Sequence, residues 1–187
     1  MNRKTLLFIV AVLASAALSA HAQDNLVGNP GFETGAFAPE WTQFGGTNFT
    51  GVTGTFGGVP PHGGNFQAYF GPTTSGGIMQ TLTGPAGAYA VDFWLAAVGG
   101  GSTDSFSASL GGVTFYSTPG IGAFPYTHIT GAVVTGANPV LQFTTLNAPS
   151  YWLLDDINVA AVPEPGTLGL IGLGVLGLVG ALRKRLV

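Results

Sequence analysis

Between Asp24 and Val162, glycine or proline interrupts the chain every few residues, and the runs between them are short and rich in Val, Ile, Thr, Phe, Tyr and Trp. No stretch of that region places apolar residues at i, i+3 and i+4 behind a helix cap, so the pattern reads as strands joined by tight turns. Strands are predicted near residues 25–27, 42–44, 66–70, 78–82, 89–98, 105–110, 113–117, 126–135, 140–145 and 152–159. Gly111-Gly112 supplies the clearest hairpin turn, because a two-residue connection between antiparallel strands needs positive φ at both positions. Many short strands at this spacing, in a region of about 140 residues, predict one all-β domain built as an antiparallel β-sandwich.

Period-2 alternation then divides the strands into faces. Val91, Phe93 and Leu95 form the uniformly apolar side of the longest strand, and are expected inside; Ala90, Asp92, Trp94 and Ala96 take the other side. In the last strand the same rule puts Leu153, Asp155, Ile157 and Val159 on one face and Trp152, Leu154, Asp156 and Asn158 on the other. Asp155 and Asp156 should therefore point apart, which argues against a catalytic pair.

Charge is distributed unevenly. The chain has five Lys and Arg residues, and all five, Arg3, Lys4, Arg183, Lys184 and Arg185, lie at its ends. Residues 23–162 hold Asp24, Glu33, Glu40, Asp92, Asp104, Asp155 and Asp156 with no Lys or Arg. Nucleic acid and phosphate ligands need cationic contacts, so neither is an expected partner. With no cysteine in the chain, disulfides and thiolate chemistry are excluded as well.

Both ends read as targeting segments. Arg3 and Lys4 precede an apolar stretch at residues 6–18 and then Ala20-His21-Ala22, the order of a secretory signal helix with cleavage before Gln23. The expected organisation is a signal peptide over 1–22, a sandwich domain over 23–161 and a tail over 162–187. The tail reads Val-Pro-Glu-Pro-Gly-Thr, an apolar run at 168–182, and Arg183-Lys184-Arg185. Pro163 and Pro165 end the preceding fold. The uncharged stretch 166–182 gives roughly 25 Å of helix, a short single transmembrane span. The basic end should stay cytoplasmic, leaving the domain outside the inner membrane. Gly172-x-Gly174-x-x-Gly177 matches a dinucleotide-binding fingerprint, but no strand precedes it and too few residues follow for a βαβ unit.

Pro163, Glu164 and Pro165, the Gly/Leu-rich span and the terminal Arg183, Lys184 and Arg185 together resemble the PEP-CTERM sorting tails. That resemblance implies recognition and processing by an exosortase, an integral-membrane enzyme, and delivery to the cell envelope, cell surface or extracellular matrix.

Asn25-Leu26-Val27-x-Asn29-Pro30-Gly31-Phe32-Glu33, with Trp41 following, and Tyr151-Trp152-Leu153-Leu154-Asp155-Asp156-Ile157 resemble the first and last strands of galactose-binding-like jelly rolls. This superfold includes carbohydrate-binding modules. The resemblance implies a jelly-roll topology and a structural Ca²⁺ held by Glu33 with Asp155 or Asp156. Turn hydrogen bonds to those carboxylates are the alternative. His62 and His128 have no second histidine at metal-ligand spacing, so no zinc site is expected. Nor does a serine sit in a Gly-x-Ser-x-Gly elbow. Asn48-Phe49-Thr50 is a glycosylation sequon by pattern only. Trp41, Phe44, Phe49, Phe56, Tyr116, Phe124, Tyr126 and Tyr151 are the aromatics considered as sugar platforms, although most aromatics of a small sandwich belong to its core. The expected function is that of an exported, non-enzymatic surface or matrix protein. The alternative is a module binding envelope or exogenous polysaccharide.

Overall fold

The computed structural model describes residues 24–120, 122–147, 150–163, 172 and 174. The expected signal and transmembrane helices, and the sorting residues Glu164, Pro165, Arg183, Lys184 and Arg185, lie outside the described residues. Pro163 follows directly on the last strand and is exposed. Asp24–Val162 forms one compact unit.

Ten strands build that unit: β1 (Thr42–Gly45), β2 (Thr50–Thr53), β3 (Gln67–Phe70), β4 (Gly76–Thr81), β5 (Gly87–Ala97), β6 (Ser105–Leu110), β7 (Val113–Pro119), β8 (Phe124–Thr135), β9 (Val140–Leu146) and β10 (Trp152–Val162). They make two five-stranded sheets, ordered β1-β4-β9-β6-β7 and β2-β3-β10-β5-β8. Every pairing is antiparallel. The β6–β7 hairpin turns at Gly111 and Gly112, whose φ angles of 58° and 82° are the left-handed values that a primed two-residue turn requires.

The core lies between the sheets. Val91, Phe93 and Leu95 of β5 are buried there, as alternation predicts, with Phe106 and Leu110 of β6 and Leu141 and Phe143 of β9 across from them. Phe93 meets Phe143 edge-on at 5.2 Å between centroids. Each such side chain contributes roughly 1.5–3 kcal/mol through burial.

Three sequence expectations change. Residues 25–27 form no strand in the sheet order, although the segment is pinned to β10: Leu26 N donates to Val159 O (2.9 Å), Asn25 Nδ2 to Ile157 O (2.7 Å), and Val159 N to Asn25 Oδ1 (3.0 Å). Strand β2, Thr-Gly-Val-Thr, goes unpredicted because one apolar residue in four gives no alternation to detect.

The third change concerns β10. Its register against β5 skips between Asp155 and Asn158, and Asp156 adopts φ 46°. This is a β-bulge, which inserts an extra residue and resets which side chains face inward. Trp152 and Leu154 reach the core before the bulge, and Ile157 and Val159 after it. The expectation that Leu153, Asp155, Ile157 and Val159 share one face is thus corrected.

Candidate functional site

The outward face of the second sheet brings together aromatic, histidine and carboxylate side chains. Asp92 and Trp94 project from β5 opposite the core residues Val91, Phe93 and Leu95. In register, Trp94 has His128 of β8 beside it and Asp155 of β10 on its other flank, while Asp92 has Thr130 and Asn158. Over this surface runs the connection 54–66 between β2 and β3, which brings Phe56 and His62 onto it.

Rings line up along the face. His62 stacks on Trp94 with centroids 3.7 Å apart and planes 16° from parallel, and His128 stacks on the same indole at 4.8 Å and 16°. Tyr126 meets His62 edge-on at 5.5 Å. Farther along, Phe56 stacks on Tyr69 at 4.6 Å and touches Tyr151. Trp94, Tyr126, Phe56, Tyr69 and Tyr151 are half-buried, so part of each ring meets solvent. Gly51 lies beneath Tyr69: a Cβ there would stand 2.7 Å from the phenol oxygen.

Polar contacts fix the arrangement. His62 Nδ1 pairs with Asp156 Oδ2 at 2.6 Å, and His128 Nε2 with Asp92 Oδ1 at 3.1 Å. Asn158 Nδ2 donates to the other oxygen of Asp92 (3.0 Å). Gln67, fully buried, donates through Nε2 to Gly54 O and Val59 O, holding the 54–66 connection, and accepts from Tyr126 Oη (2.6 Å). Burial pushes the Tyr126 phenol above its usual range, with the Asp155 and Asp156 charges adding to the effect.

Glu33, Asp155 and Asp156 do come together at the 54–66 connection. A Cβ on Gly31 would stand 3.3 Å from Asp156 Oδ1 and 3.6 Å from Asp155 Oδ1. The two aspartates therefore approach one point, contrary to the strict alternation expected of them, because the bulge turns Asp156 back. Their oxygens are engaged by N–H donors. Asp155 Oδ2 accepts from His62 N (2.8 Å) and Gly63 N (3.1 Å), and Asp155 Oδ1 from Asp156 N (2.8 Å). Glu33 accepts from Asn65 N through both oxygens and from Phe66 N (3.1 Å). Among the described residues no three His, Asp or Glu are grouped to hold a metal ion. These N–H groups make the turn hydrogen bonds that stand as the alternative to a Ca²⁺ ion held by Glu33 with Asp155 or Asp156, and they clamp the 54–66 connection.

Titration of the clamp has a definite sign. Burial pushes the Asp155 carboxyl up to about 6 from 3.8, outweighing the Gly63, Asp156 and His62 N–H groups that oppose it. A carboxyl raised in the folded state destabilises that state when ionised, so its penalty is absent below 3.8, grows up to about 6 and is constant above. Glu33 is held below its ordinary 4.5, chiefly by the Phe66 N–H, and its stabilisation is lost only as pH falls through that region. Lowering pH from 7 to 5 should therefore raise stability through Asp155 by about 1 kcal/mol, or roughly 3–5 °C in Tm. Thermal melts of the wild type and Asp155→Asn across that interval check this. The variant should have the flatter slope, and parallel slopes would contradict the assignment.

Of the aromatics considered from sequence, Trp41 is buried in the core. Phe44 sits on edge strand β1 in the other sheet. Phe49, on the β1–β2 turn, is 61 % exposed. Tyr116 and Phe124 pack against the core, and Phe56, Tyr126 and Tyr151 belong to the outer face. Trp94, Tyr69, His62 and His128 were missed as site residues. The available signal was the alternation itself, which places a tryptophan on the side of β5 away from the core.

Comparison with known proteins bears on both halves of the chain. Residues 161–185 match the PEP-CTERM protein-sorting motif. The tail is a sorting signal. The motif marks an exported chain, whereas the sandwich is matched by fold. The CBM61 structure in complex with β-1,4-galactotriose superposes with a TM-score of 0.57 at 21 % identity, covering 74 % of this chain and 99 % of that one. The CBM22-1 xylan-binding domain from Paenibacillus barcinonensis Xyn10C gives 0.55 at 16 %, covering 78 % and 99 %. The K2 cleaved adhesin domain of Lys-gingipain gives 0.54 at 17 %, covering 75 % and 99 %. These superpositions show a shared jelly-roll sandwich, and at such identities they say nothing about ligands. No curated protein sequence matches the chain.

Proposed function

We propose that the protein is a non-catalytic saccharide-binding module, exported and delivered to the cell surface or extracellular matrix by its PEP-CTERM tail. The observation that carries this reading is the row of half-buried rings on the outer sheet face, centred on Trp94 between His62 and His128. Ring faces and edges pack against the C–H surfaces of sugars, and surrounding polar groups orient the hydroxyls. The carbohydrate-binding modules that share the fold support the reading. In it the tail crosses the inner membrane transiently, with Arg183, Lys184 and Arg185 cytoplasmic, until an exosortase acts at Pro163, Glu164 and Pro165. A glycan array probed with the purified protein tests it. Saturable micromolar binding is expected; silence across neutral and charged glycans alike would leave a structural matrix role.

Glu33, Asp155 and Asp156 act in this reading as the clamp that fixes the 54–66 connection. Addition of EGTA should then leave Tm unchanged. A Ca²⁺ ion bound with a Kd near 10⁻⁴ M, at about tenfold excess, would instead add roughly 1.4 kcal/mol by mass action. That corresponds to about 3–5 °C. A chelation-dependent drop of that size, abolished by Glu33→Gln, would replace the clamp with a metal site.

A further inference from the structure

Building on the saccharide-binding reading, we infer that the outer face selects neutral, hydroxyl-rich glycans and rejects uronate-bearing ones. The reason lies in the supply of hydrogen-bond donors. Residues 23–162 contain no Lys or Arg, so this face has neither an ammonium nor a guanidinium group to meet a ligand carboxylate.

Several of the donors that the face does contain are committed to the protein's own acceptors, and those beyond them, such as the Trp94 indole and the Tyr69 and Tyr151 hydroxyls, are neutral. Gln67 spends its amide N–H groups on Gly54 O and Val59 O, and Tyr126 directs its hydroxyl to Gln67 Oε1. Asn158 donates to Asp92. Because a carboxylate only accepts, His62 donates its Nδ1–H to Asp156 and His128 its Nε2–H to Asp92. In the neutral imidazoles this leaves lone pairs at His62 Nε2 and His128 Nδ1. The partly exposed carboxylates of Asp92 and Asp156 add further acceptors to these ring nitrogens.

Sugar hydroxyls can donate to all of them. A ligand carboxylate can donate to none, and it enters a field set by Asp92, Asp155 and Asp156 without a full counter-charge. Specificity of this kind comes from leaving the wrong ligand's polar groups unpaired and its charge opposed.

The test sets β-1,4-galactan, β-1,4-mannan and a mixed-linkage β-glucan each beside the same polymer oxidised at C6 to its uronate, with affinities measured in low salt. The oxidised form of any polymer that binds should be at least tenfold weaker, and the gap should narrow in high salt, where exposed charges are screened. Thr130→Lys, which places a cation beside Asp92 on the same face, should also narrow it. An oxidised polymer that binds as well as its neutral parent would overturn the inference while leaving the saccharide-binding reading intact. Failure of every polymer, neutral or oxidised, would overturn that reading and this inference with it.

Discussion

Replacing Trp94 with alanine should weaken saccharide binding by thirtyfold or more while leaving the sandwich folded. Trp94 stands on β5 with its backbone fixed by two antiparallel neighbours, β10 and β8, and its indole is held by the rings of His62 and His128. If the proposed reading holds, Trp94 serves as a rigid aromatic anchor, and truncating a binding hot spot costs about 2 kcal/mol or more. Each 1.4 kcal/mol is roughly a factor of ten in affinity. Stability should respond less, because the core side chains of the same strand, Val91, Phe93 and Leu95, face the opposite way. What the fold loses is ring stacking, about 0.5–1.5 kcal/mol per pair. Calorimetric titration with parallel thermal melts separates the two effects. Trp94→Phe should recover part of the affinity, as a merely structural role would not require. Binding that survives Trp94→Ala would remove this face from consideration.

Glu164→Ala should convert a released protein into a membrane-retained one. The matched motif runs over residues 161–185 and includes Pro163, Glu164 and Pro165 together with the apolar run and Arg183, Lys184 and Arg185. An enzyme that reads the triplet loses its recognition element when the carboxylate is removed, whereas the apolar run, untouched, still partitions into the bilayer. The expected result is all-or-none in the intact mass. Wild-type surface material should lack the apolar run, and the variant should carry it in the membrane fraction. Residues 168–185 found still attached to released wild-type protein would sink the processing model.

Much of the sandwich was legible because local signals agree with the global fold. Gly111-Gly112 marks a turn that only positive φ permits, and the alternation of Val91, Phe93 and Leu95 names a core that the structure buries. Legibility failed where one residue changes the count. The bulge at Asp156 shifts the inward set of β10 from Trp152 and Leu154 to Ile157 and Val159, and no feature of Asp155-Asp156-Ile157-Asn158 announces it. The same event brings Asp156 back towards Asp155, so the expected divergence of the two carboxylates fails with the expected face. The outer-face site was half visible: Trp94 was assigned to the correct side of its strand. Its partners His62 and Phe56 arrive on a connection whose path depends on hydrogen bonds from its backbone to Glu33 and Asp155, at great separation along the chain. No local pattern encodes contacts of that kind.

Strand β10 also decides how the domain answers to force. It lies third of five in its sheet, between β3 and β5, and it runs without interruption to Val162, the residue before Pro163. Any load transmitted through the tail pulls along the axis of an interior strand. The ladder bonds on both of its sides then resist together in shear, and cannot open one after another as they would at an edge. The N-terminal segment, bonded to Ile157 and Val159, adds a third partner to the loaded stretch. On the proposed reading, a saccharide-binding domain loaded through residue 162 would be held at a mechanically strong point. Single-molecule pulling through residue 162 should give a higher rupture force than pulling applied within edge strand β7, and equal forces would deny β10 this role.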